Sequence, residues 1–345
     1  MAVPNPRFAQ LIERAEDALE AGNADDALKI AQEMLREEPD DVDALDLMAV
    51  AHRTAGDLED AVAVYERLRV IEPKNPAWVI AEADLLIREA EDDRELIEQG
   101  LELLEDGEGL IRGDDELLFE SELLRATALN QLGDFTEALA SIRVALDVDA
   151  EHPEARLEQG QALFELGRFD EARRVYQSLV KDYPDEPWAH HYLGLLAERR
   201  GEAPEPFFKK AQSLSPDDFP PPVHLSAEEF DATVQQAIAA LPDHAKPHLD
   251  NCVIDVQPIP SDDDLKEGGI SPLILGVFRG LAIDERSPVE ASHHETARIT
   301  LYQNNLERFA RTREELLEEI RITVLHEVGH LLGLDEDELY ERGLD

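Results

Sequence analysis

"GDFTEA" at residues 133–138 returns as "GRFDEA" at residues 167–172, and this pair decides the architecture of the first two thirds of the chain. Gly133, Phe135 and Ala138 are followed 34 residues later by Gly167, Phe169 and Ala172, and Gly201 continues the interval. Nearer the start, Gly22, Ala27 and Pro39 recur as Gly56, Ala61 and Pro73 at the same spacing. A fixed period of this kind marks a stack of like supersecondary units, none of which can bury its apolar face alone. Each unit reads as a helix, a turn at the glycine, and a second helix whose alanine lets the pair cross closely before a proline stops it. Tyr65 and Tyr176 hold the same late position in their units. The 77 residues from Gly56 to Gly133 hold one degenerate unit, near 74–115, with an insertion around 91–115. Pro204 and Pro206 fall where the second helix after Gly201 should begin, so that repeat is imperfect.

These positions resemble the tetratricopeptide repeat family, in register over five units and roughly residues 5–215. The resemblance implies an all-α helical-repeat solenoid over residues 1–215, whose concave groove takes a peptide or a partner helix. The plainer alternative is an array that only spaces or solubilises the rest of the chain. Gripping a peptide carboxylate needs clustered lysines and arginines, and the chain has only 32 basic residues against 79 acidic ones. Basic or apolar ligand segments suit such an array better. His152, His190 and His191 lack metal-ligand spacing and read as helix or turn positions without a role. The segment PDDFPPPV, residues 216–223, is a proline-rich linker, and a second domain is expected over residues 224–345.

The formal charge is −47, spread over both parts rather than gathered in a tail. A field of that sign repels nucleic acid and anionic membrane, which excludes both as primary partners. The acid excess fits a salt-adapted host and plain surface solvation equally well. No stretch approaches the length of an apolar membrane span, and the first residues do not read as an export signal, so a soluble, cytoplasmic protein is expected. Cys252 is the only cysteine, which excludes an intramolecular disulfide and thiolate zinc sites. A metal in this chain must be held by histidine and carboxylate.

In the second domain, Ser226-Ala-Glu-Glu229 is a capping box that opens a helix running to Pro242. Cys252–Val256, Leu273–Phe278 and Arg298–Tyr302 read as strands, and the acidic loop SDDDLKEGG lacks the spacing of a calcium loop. Thr312-Arg-Glu-Glu315 is a second capping box, opening the helix LLEEIRITVLHEVGHLLGL. Leu317, Val324, Val328 and Leu331 form one apolar stripe on it, broadened by Leu316, Ile320 and Leu325, so the helix is expected to be largely buried. His326 and His330 are four apart and project from one face, where two imidazoles can chelate a single ion. Glu327 is rotated by about 100° from His326. That keeps it out of the ligand set yet near a water on the metal, as the general base of a zinc peptidase. Two histidines and a glutamate on one turn of a buried helix are costly without such a task.

The third ligand must come from the remaining residues. Fifteen residues follow His330, too few for a glutamate on a separate downstream helix. Gly333 turns the chain back, so the residue six beyond His330, Glu336, is expected at the metal. Its neighbour Asp335 is the alternative, although Asp335-Glu-Asp-Glu338 reads as a capping box for a short last helix, DELYER. An upstream ligand from His293 or His294 stays open, and substrate contact is their other functional reading.

Taken in order, SAEEFDATVQQAIAALP, LILGVFRGL, RITLYQNNLERF and HEVGHLLGL resemble the small bacterial metallopeptidase-like proteins called mini-zincins. The resemblance covers residues 226–345 and implies a compact α/β (α+β) zincin scaffold with one zinc on His326, His330 and an acidic third ligand. Family members commonly carry aspartate where this chain has Glu336, one methylene longer. Arg298–Tyr302 is expected to be the edge strand beside the substrate, adding peptide backbone by strand pairing. Tyr302 and Tyr340 are candidate donors to the tetrahedral oxyanion, with packing as the plainer role of each. The expected activity is zinc-dependent peptide hydrolysis, with the repeats recruiting a protein substrate or partner. The rival is a non-catalytic repeat adaptor carrying a zinc-binding domain.

Overall fold

The structure of the protein, a computed structural model, describes residues 6–90, 93–243, 245–265, 270–282, 297–335 and 338–339. Its contacts divide the chain into two compact units, Met1–Leu163 and Phe164–Asp345.

The first unit is built from α1 (Pro6–Glu20), α2 (Ala24–Glu37), α3 (Val42–Ala55), α4 (Leu58–Ile71), α5 (Pro76–Arg88), α6 (Arg94–Ile111), α7 (Asp115–Leu132), α8 (Phe135–Val148) and most of α9 (Pro153–Glu165). From α1 to α8 each helix packs on the next, as the repeat requires. The turn glycines Gly22, Gly56 and Gly133 have φ of +71°, +81° and +84°. An L side chain is strained in that left-handed region, and this ties the 34-residue period to glycine. Ala27, Ala61 and Ala138 are fully buried, where a larger side chain would push the paired helices apart.

The degenerate unit is also a helical hairpin, and the stretch expected as an insertion is largely the 18-residue α6. Two glycines there perform the task of the repeat alanine. A Cβ on Gly100 would lie 2.6 Å from Ile87 Cγ1, and one on Gly107 would lie 2.7 Å from Val79 Cγ1. Seven residues apart, these glycines lie on one face of α6 and let α5 approach along two turns.

The second unit holds α10 (Phe169–Asp182), α11 (Pro187–Arg199), α12 (Glu205–Leu214), α13 (Ala227–Ala240), β1 (Cys252–Gln257), α14 (Asp262–Leu265), β2 (Gly276–Arg279), β3 (Ala297–Tyr302), α15 (Gln303–Phe309) and α16 (Arg313–Leu331). Gly167 and Gly201 are again left-handed, and Ala172 is fully buried. Pro204 and Pro206 shorten α12 to ten residues, with Pro204 at its N-cap. Both capping boxes form as expected, at Ser226 for α13 and at Thr312 for α16.

Among the described residues the strands form one mixed sheet in the order β1-β3-β2, with β1 parallel and β2 antiparallel to β3. This corrects the expectation that Arg298–Tyr302 is an edge strand. It is the central strand, hydrogen-bonded on both sides, and its buried residues on either face suit that place. Register puts Ile254, Ile299 and Phe278 across from one another on one face of the sheet. That face packs with Phe230 and Val234 of α13 and with Leu316, Ile320, Val324 and Val328 of α16 in one core. The opposite face carries Asp255, which pairs with Arg298 and accepts from Thr300 Oγ1 at 3.0 Å.

Candidate metal centre

α16 is held at both ends by its own sequence. Thr312 Oγ1 accepts from Glu315 N at 3.1 Å, and Glu315 Oε2 accepts from Thr312 N at 3.2 Å. At the other end Gly333, with φ +92°, donates to His330 O, while Leu334 N donates to Gly329 O, each at 3.0 Å. This pair of bonds is a Schellman turn, and it needs a residue tolerant of positive φ at position 333.

Two neighbouring stripes of the helix then part company. Glu327 follows Thr323 onto a buried stripe, while His326 and His330 lie half-buried beside it. Nε2 of His326 and Nε2 of His330 are 3.0 Å apart, with the rings edge to face at 81° and 4.6 Å between centroids. His330 Nδ1 lies 3.2 Å from Leu334 O. A carbonyl can only accept, so in the neutral ring Nδ1 carries the proton and Nε2 keeps its lone pair. The Schellman turn thus sets the ring state of a histidine one turn earlier. Two nitrogens sharing a tetrahedral zinc at 2.0–2.1 Å stand about 3.3 Å apart, so the pair fits the ion with a small adjustment of either ring.

Glu327 is 5% exposed. β2 covers it: a Cβ on Gly276 would lie 2.6 Å from Thr323 Cγ2 and 3.0 Å from Glu327 Oε1. Gly276 escaped the sequence reading, because nothing local to LILGVF shows what the strand packs against. The structure reveals it as the residue that lets a strand edge pass directly over the buried carboxylate. The sequence reading also missed Asn305, whose Nδ2 donates to Pro272 O at 3.1 Å and to Ile274 O at 2.8 Å. It pins the segment that leads into β2.

Past the turn, Asp335 Oδ1 accepts from Glu338 N at 2.9 Å, and Asp335 N donates to Glu338 Oε2 at 3.3 Å. One oxygen of Asp335 therefore caps the following turn. Leu339 is fully buried, seated where Gly329 has no side chain; a Cβ on Gly329 would overlap Leu339 Cδ2. Glu336, the expected third ligand, lies outside the described residues, as do His293, His294 and Tyr340.

Tyr302 lies on the sheet face opposite α16, since it alternates with Ile299 and Leu301, which join the core beneath that helix. It is fully buried, and burial raises its phenol pKa, with the neighbouring Asp264 charge adding to the effect. The strand does not bring this hydroxyl beside His326 or Glu327, and packing is the role its surroundings support. Of the histidines read as having no role, His152 stacks edge-on with Phe119, His190 Nε2 lies 2.8 Å from Pro184 O, and His191 sits among aromatic rings.

Elsewhere, His52 Nδ1 stands 3.6 Å from Asp57 Oδ2 and 3.9 Å from Asp60 Oδ2 at the turn between α3 and α4. Both aspartates are exposed, as acidic groups commonly are at a surface turn without an ion.

Residues 249–344 match the family of zincin-like metallopeptidases, and residues 18–85, 123–187 and 157–218 match tetratricopeptide repeats. The chain is 25% identical over 205 residues to cellulose synthase operon protein C of Pseudomonas fluorescens, a match over 58% of this chain and 16% of that protein. It therefore spans only a small part of that relative's length. Among solved structures, it is similar to PilF of Pseudomonas aeruginosa at 16% identity, with a TM-score of 0.52, over 65% of this chain and 96% of that one. It is also similar to TTC0263, a tetratricopeptide protein of Thermus thermophilus, at 24% identity and a TM-score of 0.42, over 52% and 92% of the two chains. Likeness at such identity concerns the fold alone. No helix among the described residues is long and apolar enough to cross a membrane.

Proposed function

We propose that this chain, which joins tetratricopeptide repeats to a zincin-like metallopeptidase domain, is a zinc-dependent peptidase whose repeats recruit a protein substrate or partner. The observation that carries the reading is the pair of imidazole nitrogens 3.0 Å apart with a buried carboxylate one residue along the same helix turn. His326, His330 and Glu336 would hold one zinc per chain, with Asp335 as the alternative to Glu336. A zinc held there would supply the Lewis acidity that acidifies a water and polarises a peptide carbonyl.

The remaining work falls to the protein. Leu334 O orients the His330 ring, which turns its Nε2 toward Nε2 of His326. Glu327 takes the proton of the attacking water on a carboxylate oxygen and returns it to the leaving amine. Burial beneath Gly276 holds that carboxylate in one place and keeps bulk water from it. Among the described residues β2 is bonded to β3 alone, and its other edge is where an extended substrate backbone would add by strand pairing.

The test is metal analysis paired with a proteome-wide cleavage comparison of the wild type and Glu327→Ala. About one zinc per chain in both proteins, with cleavage only in the wild type, is the expected result. Full cleavage by the variant removes the mechanism. A zinc-loaded wild type that cleaves nothing leaves an adaptor with a zinc module.

A further inference from the structure

The second unit contains a cavity of about 600 Å³, bounded by α11, α12, the proline segment 216–223 and α15. We propose that it is an exosite, taking a large apolar side chain flanked by basic residues from the same polypeptide that is cut at Glu327. The inference rests on the peptidase reading for the identity of that polypeptide, but not for the binding itself.

The volume suits an aromatic or long aliphatic side chain together with its neighbouring backbone. Its wall is a cluster of aromatic rings: Phe219 packs edge-on against Trp188 at 4.8 Å and stacks on His191 at 4.7 Å, and Phe208 lies 5.5 Å from His191. Burial, with a smaller effect from the nearby Arg308 charge, lowers the His191 pKa to about 4, so this wall carries no charge at neutral pH. Two aromatic side chains remain open to solvent at the cavity, Trp188 at 43% exposure and Phe309 at 57%. Exposed rings beside an apolar hollow mark a surface that expects a partner, because leaving them in water forgoes the free energy of burial.

Charge selects the partner's chemistry. Four carboxylates line the cavity, those of Glu198, Glu205, Asp218 and Glu307, against the two cations of Lys209 and Arg308. Arg308 is committed to Glu198, which also accepts from Asn304 Nδ2 at 2.9 Å. Glu307 is buried beside His224, and at the rim the exposed Lys209 is outnumbered by the exposed Glu205 and Asp218. Their negative field favours basic residues on either side of the inserted apolar group.

The cavity is also linked to the strand that covers Glu327. Glu198 pairs with Arg308, Arg308 Nη1 donates to Asn305 Oδ1 at 3.2 Å, and Asn305 Nδ2 holds the carbonyls of Pro272 and Ile274. Gly276 follows two residues later. A substrate segment in the cavity thus rests on the residues that place β2, and binding energy remote from the cut can serve to orient the reacting backbone.

The test uses the full chain carrying Glu327→Ala, so that binding is read without turnover. Tryptophan emission is followed while N-acetyl-Arg-Phe-Arg-amide is added, with Arg-Ala-Arg and Glu-Phe-Glu analogues as controls. A saturable shift is expected for Arg-Phe-Arg, with each control at least about ten-fold weaker. The chain has two tryptophans, Trp78 and Trp188, so the shift should vanish in Trp188→Phe. Phe309→Ser alters an exposed residue and should keep the fold, as judged by circular dichroism, while weakening binding several-fold. No saturable shift, equal binding of Arg-Ala-Arg, equal binding of Glu-Phe-Glu, or an unchanged shift in Trp188→Phe overturns the exosite. Cleavage that persists without such binding removes the exosite alone, whereas binding that persists when Glu327→Ala still cleaves removes only the peptidase mechanism.

Discussion

Gly276 stands so close to Glu327 that a Cβ on it would lie 3.0 Å from the carboxylate Oε1. The strand passes over the carboxylate at a distance only glycine permits. Gly276→Ala should push Glu327 or β2 aside while leaving both histidines untouched. Zinc content is expected to stay at one per chain while peptide cleavage falls by about ten-fold or more, the usual cost of a small misplacement of a catalytic group. Wild-type turnover in this variant would show that the contact does not position Glu327.

Asp335 already caps the turn that follows it, and this separates it from Glu336 as a candidate ligand. Asn caps a helix about as well as Asp, so Asp335→Asn should preserve the bond from Glu338 N and retain zinc. Glu336→Gln removes the proposed ligand charge and should weaken zinc by roughly 100-fold or more in a chelator competition, by the scale on which ligand shells tune affinity. The reverse order would assign the metal to Asp335.

Leu339 fills the space left by Gly329, so the segment after Gly333 is anchored by packing as well as by its turn. Leu339→Ala should cost about 2–4 kcal/mol of stability in denaturant unfolding, the range for a buried leucine. Because the same segment carries Glu336, zinc affinity is expected to fall with it, although no ligand is changed. Loss of stability with full zinc affinity would separate the anchor from the site.

Glu158 is a half-buried carboxylate whose hydrogen-bond partners, Asn130 and Thr127, are neutral. Desolvation raises its pKa above the ordinary value of 4.5, an effect only partly offset by those two hydrogen bonds. Above pH 4.5 the unfolded chain releases this proton while the folded chain still holds it, so stability falls as pH rises through that window. Glu158→Gln keeps the shape without the titration. Its melting temperature at pH 7 should rise above that of the wild type, and the decline above pH 4.5 should flatten. A lower melting temperature at pH 7 would mean that the charged form is stabilised by something other than these two neighbours.

Much of the architecture was legible because its causes are local. Gly22, Gly56, Gly133, Gly167 and Gly201 all have positive φ, and the period they mark is the period of the hairpins. Ser226 and Thr312 cap the helices they were expected to open, because a capping box is closed by residues only three apart. The relation between His326 and His330 was also readable, since a helix fixes what lies four residues along it. The degenerate unit was harder, because Gly100 and Gly107 replace the alanine by a different means of close approach. The place of Arg298–Tyr302 was misread because strand order depends on pairing partners, and a strand's composition does not name them.

The sequence by itself determined the 34-residue hairpin period, the capped helix bearing His326, Glu327 and His330, and the turn at Gly333, all through spacings of a few residues along one backbone. Only the tertiary structure decided that β3 is central, that Gly276 seals Glu327, that Leu339 docks on Gly329, and that aromatic residues of α11 and α12 meet α15 around a cavity. These relations join residues tens to more than a hundred positions apart or depend on how a turn packs back. Side-chain volume and the pairing of buried polar groups select them, and neither quantity is written in any short stretch of chain.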